Sequence, residues 1–243
     1  MKTVAIIQAH MGSTRLPGKV LRNIGDRTML ARVVRRVSRA KELSAIVVAC
    51  STEPADEAIV HECEKLGVAS FRGSDSDVLD RYAQTAKAHP ADAYVRITSD
   101  CPLIDPEVID LVVSRYAQGD CDYASNTVDR TFPRGLDNEA FSANGLEQAS
   151  KEAIEPYQRV HVTPFFYQNP QRFRIAQLKQ GENQSELRWT VDTADDLAFA
   201  TAVYDALGGG DDFSRRDVLA LLERRPELAE INQHVKQKGP REL

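Results

Sequence analysis

Short apolar runs alternate with segments of helical period along the first half of the chain. The runs are largely continuous rather than alternating, which is typical of strands that are covered on both faces. They predict four strands, at residues 3–9, 44–50, 67–71 and 92–100.

Segments of helical period follow these predicted strands. In residues 28–43, the apolar side chains share one helical face, and the arginines form a second stripe, predicted to be solvated. The apolar face consists of Leu30, Val33, Val34 and Val37, and the stripe of Arg32, Arg35, Arg36 and Arg39. Three further helices are predicted. The first begins after Thr52 as its N-cap, with Pro54 in its first turn. The second spans residues 76–88, and the third spans residues 106–118 after Asp105. Strands separated by helices of this length indicate an α/β fold with a parallel sheet and right-handed crossovers.

The alternation weakens after Cys121. Residues 135–143 and 172–180 resemble strands of a less regular region at about 121–180, and residues 186–207 return to a strand followed by a helix. Gly208 to Gly210 are typical of a helix stop, and residues 214–238 of two short helices. Without repeats or a linker, the pattern predicts a single domain over residues 1–243.

Composition and charge narrow the function classes. The formal net charge of -5 disfavours DNA or RNA as a partner. The four cysteines are far apart and form no CxxC pair, which fits neither a zinc site nor a disulfide framework. No run approaches the ~18 apolar residues that span a bilayer, and no targeting segment is visible. We therefore expect a cytoplasmic protein without a membrane partner.

The loop after the first predicted strand, QAHMGSTRLPGK, carries candidate chemistry. Gly12 and Gly18 would let the backbone approach a ligand, and Arg15 and Lys19 could contact phosphate oxygens. The spacing matches neither a Walker P-loop, which would need Ser or Thr at Val20, nor GxGxxG. From the residues alone, a phosphate-binding loop and a tight solvated connection both remain open.

Several carboxylates lie where predicted strands end. Asp100 and Asp192 could each cap a turn or helix, or together bind a magnesium ion that also contacts nucleotide phosphates, since Mg²⁺ commonly takes one or two carboxylates. Asp137 and Glu139 alternate along a predicted strand and would share one face, either to bind sugar hydroxyls or simply to be solvated. Asp195, in the first turn of the predicted helix, is interpreted as structural, and so is the adjacent Asp196.

Six ordered motifs resemble the CTP-dependent nucleotidyltransferases that make CMP-activated acidic sugars, in the branch related to the spore-coat protein SpsF. The motifs are QAHMGSTRLPGKVL (8–21), RGSDSDVLDRY (72–82), RITSDCPLIDPEVID (96–110), TFPRGLDNEAFS (131–142), RVHVTPFF (159–166) and RWTVDTADDL (188–197). The resemblance implies a three-layer, Rossmann-like nucleotide-diphospho-sugar transferase fold with a mostly parallel mixed sheet.

The resemblance also implies roles for individual residues. Catalysis would fall to Lys19, Arg15 and Asp100, and a Mg²⁺ cofactor to Asp100 and Asp192. Nucleotide contacts would come from Gln8, Ala9, Met11, Gly12, Ser13, Arg15, Lys19, Ser74, Arg81 and Arg96. Sugar contacts would come from Asp137, Glu139, Arg159 and His161, although His161 could equally be a core or interface histidine. The chain departs from the usual pattern at His10, where relatives carry Arg, and at Ser99, where they carry Gly.

The implied function is transfer of a nucleotidyl group, with CTP favoured, to a sugar or acidic sugar for surface polysaccharide synthesis, with release of pyrophosphate. The alternative is a glycosyltransferase of similar fold, and a nucleotide-binding regulatory module is a third reading. The identity of the base, the sugar and the acceptor group stays open. A homodimer is expected from the resemblance and from aromatic residues predicted to be exposed: Phe132, Phe141, Phe165, Phe166, Tyr167 and Phe173.

Overall fold

A mixed, mostly parallel sheet organises the computed structural model, which describes residues 1–237 and 239. Its seven strands are β1 (Thr3–Gln8), β4 (Ala45–Ser51), β5 (Ala69–Gly73), β6 (Ala93–Thr98), β7 (Tyr123–Ser125), β8 (Glu139–Ser142) and β9 (Ile175–Gln177). A separate ribbon pairs β2 (Asn23–Ile24) with β3 (Arg27–Thr28). The sheet order is β5-β4-β1-β6-β8-β7-β9, and β8 runs antiparallel to both of its neighbours. The predicted α/β fold class is confirmed.

Helices cover the sheet and continue beyond it. They are α1 (Met29–Val37), α2 (Glu57–Leu66), α3 (Val78–Ala88), α4 (Pro106–Ala117), α5 (Ala143–Glu152), α6 (Pro156–His161), α7 (Pro164–Tyr167), α8 (Ala194–Ala206), α9 (Arg215–Arg224) and α10 (Glu227–Glu230). Side-chain caps begin several of them; Asp105, for example, accepts from the N–H of Glu107 at 2.8 Å. Thr52 is not such a cap, because a 3₁₀ turn at Pro54–Asp56 precedes α2. Within the described residues, no helix is long and apolar enough to cross a membrane.

The two faces of the sheet pack against different helices. Because side chains alternate along a strand, Ala5 and Ile7 of β1 join the core with α1 and α4, while Val4 and Ile6 join the core with α3 and α5. A third apolar cluster, around Trp189, packs the carboxyl-terminal helices together. The middle sheet and its two helical faces form the three layers.

Half of the predicted arginine stripe is not solvated, contrary to the sequence-based expectation, whereas Arg35 and Arg39 are exposed. Arg32 and Arg36 are fully buried. Arg32 donates to Asp211 Oδ1 at 3.2 Å, and Arg36 donates to the Asp211 carbonyl at 3.0 Å. Their guanidinium groups also lie over the rings of Tyr204 and Phe213. The stripe therefore fastens α1 to the carboxyl-terminal segment.

The aromatic residues of region 121–180 are also buried within the chain. Phe166 lies between Tyr123 and Phe141, with ring centroids 5.4 and 5.3 Å away. Phe132, Phe165 and Phe173 are buried as well. The expectation that these rings form an exposed patch is wrong, and the predicted homodimer retains only the family resemblance as its support.

Candidate active site

A cleft of about 550 Å³ opens at the carboxyl ends of β1 and β6. Ligands of open parallel sheets bind at this edge, because the loops after neighbouring strands meet there. Residues of both loops line it, with further residues from α3 and from region 121–180. The predicted site residues in its wall are Gln8, Ala9, Gly12, Lys19, Arg81, Arg96, Asp100, Asp137 and His161, together with the family departures His10 and Ser99.

The loop after β1 is closed on itself by its own hydrogen bonds. The N–H of Gly18 donates to the Met11 carbonyl at 3.1 Å, and the N–H of Leu16 donates to Ser13 Oγ at 3.3 Å. Gly18 has φ 65, a left-handed conformation that favours glycine, and leads directly into a 3₁₀ turn at Lys19–Leu21. Met11 and Ser13 thus help to shape the loop that presents Lys19.

The Lys19 ammonium joins the two candidate metal ligands. Its Nζ lies 2.9 Å from Asp100 Oδ2 and 2.8 Å from Asp192 Oδ1, and donates to the Val191 carbonyl at 2.8 Å. Burial alone would lower the pKa of Lys19, but the charges of Asp100 and Asp192 more than offset this and raise it. Burial would raise the pKa of Asp100, yet the Lys19 charge lowers it below its ordinary value. Lys19 and Asp100 are therefore both charged at neutral pH.

The segment that delivers Asp192 is not the predicted strand. It forms a single bridge between Arg134 and Arg188, plus a bond from the Val191 N–H to the Asp100 carbonyl at 2.8 Å. Gly135 permits the bridge, since a Cβ there would lie 2.6 Å from the carbonyl carbon of Trp189. This packing holds Asp192 beside Asp100.

Arg188 is a site residue that the sequence analysis missed. It is buried, and its Nη2 donates to Asp192 Oδ2 at 2.8 Å while its Nε donates to Asp196 Oδ1 at 2.8 Å. Asn232 closes the network by donating to the same Asp196 oxygen at 2.9 Å. Arg188 stands four residues before Asp192, and this spacing could have indicated their contact. Asn232 comes from a distant helix end, so no such spacing indicates it.

Asp196 anchors this network and lies in the first turn of α8. Its carboxylate forms a capping box with Thr193 and is fully buried. Burial alone would raise its pKa, but hydrogen bonds from Arg188 and from the Asp192 N–H lower it. The structural role assigned to Asp196 from sequence agrees with these contacts.

We predict that Asp196→Asn lowers the free energy of unfolding by about 3 kcal/mol at pH 7, because it leaves the buried Arg188 unpaired. The lowered pKa means that this stabilisation is present above the unfolded-state pKa of ~3.9 and is lost as the pH falls through the folded-state value. Urea unfolding at several pH values measures both effects. Asp195→Asn is the matched control, since Asp195 is about half exposed and pairs with His234. Equal stability of the two variants at pH 7 would contradict this role.

A second cavity, of about 480 Å³, adjoins the cleft. Both Asp137 and Glu139 line it, although Asp137 precedes β8 instead of lying within the predicted strand. Glu139 pairs with Arg96 at 2.6 Å and accepts from the Tyr123 hydroxyl. These carboxylates are therefore paired with arginines rather than simply solvated.

Arg134 is a cation that faces both cavities. It lines the cleft and the second cavity, and in the described part of the chain no hydrogen bond or ion pair engages its guanidinium. Burial and the nearby charge of Arg130 lower its pKa. A partly buried cation in this position is suited to bind an anion.

Two residues predicted to contact substrates, Arg159 and Ser74, make hydrogen bonds within the chain. The Arg159 guanidinium is taken up by Asp77, at 3.0 Å from Nε to Oδ2, and by the Ser150 carbonyl. Ser74 Oγ accepts from the N–H of Asp77 at 3.0 Å, and its carbonyl accepts from Arg81. Arg159 and Ser74 thus brace the start of α3, whereas His161 lies in the wall between the two cavities.

The amino-acid sequence matches a known family over most of its length. The protein-family model described as Cytidylyltransferase matches residues 4–205 of this chain. This chain belongs to the cytidylyltransferase family. The spore coat polysaccharide biosynthesis protein SpsF of Bacillus subtilis (strain 168) is 35% identical over 231 residues, 92% of this chain and 95% of that protein.

Solved structures agree with the family. A cytidylyltransferase from Leptospira borgpetersenii serovar Hardjo-bovis is 34% identical with a TM-score of 0.91, covering 98% of this chain and 100% of that one. CMP:2-keto-3-deoxy-manno-octonic acid synthetase complexed with CTP shares the fold, with a TM-score of 0.67 at 18% identity, covering 85% of this chain and 100% of that one. The resemblance seen in the motifs is confirmed, and this cytidylyltransferase is a nucleotidyltransferase enzyme.

Proposed function

We propose that this cytidylyltransferase transfers the CMP group of CTP to an oxygen of an acidic sugar and releases pyrophosphate, with Mg²⁺ as its metal. The observation that carries the proposal is the cluster that Lys19 and Asp100, in the wall of the cleft, form with Asp192. The CTP bound by the synthetase of similar fold supports the nucleotide, and the polysaccharide role in the name of SpsF supports a sugar acceptor.

The donor set fits a magnesium ion that also binds phosphates. Asp100 and Asp192 each direct an oxygen to one shared point, now taken by the Lys19 ammonium. In the described residues, no group of three or more His, Cys, Asp or Glu side chains could hold a metal. Mg²⁺ commonly takes only one or two carboxylates and completes its shell with waters and phosphate oxygens. Bound there, it would neutralise phosphate charge and polarise the reacting oxygens.

The chain's own residues would position the reactants and balance their charge. The oxygen of an acceptor hydroxyl attacks the α-phosphorus and forms a new P–O bond, its proton passes to water, and the bond to the bridging oxygen of pyrophosphate breaks. Lys19 and Arg15 would hold the leaving pyrophosphate, and the closed loop around Gly12 would leave room for the nucleotide. Such catalysis rests on positioning and on preorganised charge.

Arg134 is our candidate for the acidic group of the acceptor. We predict that Arg134→Met raises the KM for the acceptor roughly tenfold or more while leaving the KM for the nucleotide within about twofold, because a charge-assisted contact is worth about 1.5–3 kcal/mol. Steady-state kinetics with each substrate varied in turn measures this. Arg130→Met is the comparison, since Arg130 is already paired with Asp137. An unchanged acceptor KM in Arg134→Met would remove this role.

Pyrophosphate release tests the function as a whole. Four nucleoside triphosphates are assayed against acidic sugars, neutral sugars, sugar 1-phosphates and phosphonates. We expect pyrophosphate with CTP and an acidic sugar. A glycosyltransferase would instead release a nucleoside diphosphate from a nucleotide sugar. Light scattering at micromolar concentration tests the proposed homodimer, which a monomer would contradict.

A further inference from the structure

All three N–H groups of the Lys19 ammonium form hydrogen bonds at the candidate metal site. An ammonium has three N–H groups, and here they meet Asp100 Oδ2, Asp192 Oδ1 and the Val191 carbonyl at 2.8–2.9 Å. The side chain is nearly fully buried. The cation is therefore a built part of the nucleotide-free site.

Several cations offset the negative charge of the Asp192 carboxylate. Arg15 lies 3.0 Å from the same Oδ1 atom that Lys19 contacts, and Arg188 holds Oδ2 at 2.8 Å. The carboxylate pair therefore needs no metal to offset its charge in the nucleotide-free state.

Lys19 and a divalent ion cannot share this point. A Mg²⁺ ion bound to both carboxylates at about 2.0–2.1 Å would lie against the Lys19 nitrogen, and two like charges in contact repel strongly in a partly buried site. Lys19 also lines the cleft, so triphosphate oxygens arriving there would offer its flexible side chain another anion.

We propose that Lys19 is the resident counter-ion of Asp100 and Asp192 and excludes the metal until nucleotide phosphates draw the ammonium away. Metal then enters with the nucleotide or after it. This order of binding rests on the proposed function, since it takes the two carboxylates as the metal site.

The test is the binding of Mn²⁺ alone to the nucleotide-free protein. The electron paramagnetic resonance signal of the free ion measures how much Mn²⁺ remains unbound. We expect Lys19→Met to bind Mn²⁺ roughly tenfold or more tightly than the wild type, because a like charge has been removed from the site. Lys41→Met, which removes an exposed cation, should match the wild type. Adding Asp100→Asn to Lys19→Met should abolish the gain.

Equal Mn²⁺ affinity of wild type and Lys19→Met would overturn the proposal while leaving the metal site in place. Absence of binding to either protein would overturn it together with the assignment of metal to the two carboxylates. Pyrophosphate release remains an independent readout of the proposed function.

If Lys19→Met does not fold, Lys19→Gln keeps polar donors without the charge and is subject to the same comparison. Thermal unfolding of the wild type adds a second readout: Mn²⁺ alone should leave its Tm unchanged, and a clear rise would contradict the proposal.

Discussion

Asp100→Asn is expected to lower kcat roughly a hundredfold, a loss of about 3 kcal/mol of transition-state stabilisation. The substitution keeps the size of the side chain but removes the charge that would hold the metal against the phosphates. The fold should survive, because Asp100 lies at a strand end and Lys19 retains Asp192 and the Val191 carbonyl as partners. Pyrophosphate release gives the rate, and circular dichroism checks the fold.

Asp212→Asn provides the control, since its side chain is almost fully exposed. It should retain wild-type kcat. A fully active Asp100→Asn enzyme, or wild-type turnover with all divalent metal removed by a chelator, would contradict the proposed site.

Lys19→Ala is expected to lower kcat strongly while changing the KM for the nucleotide less. Once displaced from the carboxylates, the ammonium would face the β- and γ-phosphates, where negative charge grows as pyrophosphate leaves. An interaction that strengthens in the transition state acts on kcat more than on KM. Arg15→Ala, which removes a planar and more exposed cation, should affect binding and turnover more evenly.

A small effect would contradict this role of Lys19. If the residue were only a loop cation, its removal would leave kcat within about twofold, a barrier change below ~0.5 kcal/mol. The buried contacts of Lys19 with two aspartates already distinguish it from a solvated side chain.

Local sequence signals predicted the part of the fold that local physics determines. The four parallel strands β1, β4, β5 and β6 follow from continuous apolar runs, and the helix start after Asp105 follows from capping. Since the ends of parallel strands meet at one edge, the amino-acid sequence alone suffices to place the loop after β1 beside Asp100.

The missing parts depend on partners far away in the chain. Arg32 and Arg36 have the spacing of a solvated face, and Asp211, contributed from near the other end, is a shared partner of both buried guanidinium groups. The network around Arg188 likewise includes the distant Asn232, which donates to the Arg188 carbonyl and to Asp196. Residues 186–191 have the composition of a strand, but beyond their own turn their backbone groups bond to Arg134 and Asp100, so they form a bridge instead.

The most direct test of the central claim follows the phosphorus atoms of CTP by ³¹P nuclear magnetic resonance in a reaction with the enzyme, Mg²⁺ and an acidic sugar. We predict that pyrophosphate and a new CMP–sugar phosphodiester appear in equal amounts, and that neither appears with Asp100→Asn at the same enzyme concentration and time. CTP left unchanged with every acidic sugar, or converted to CDP without pyrophosphate, would contradict cytidylyl transfer.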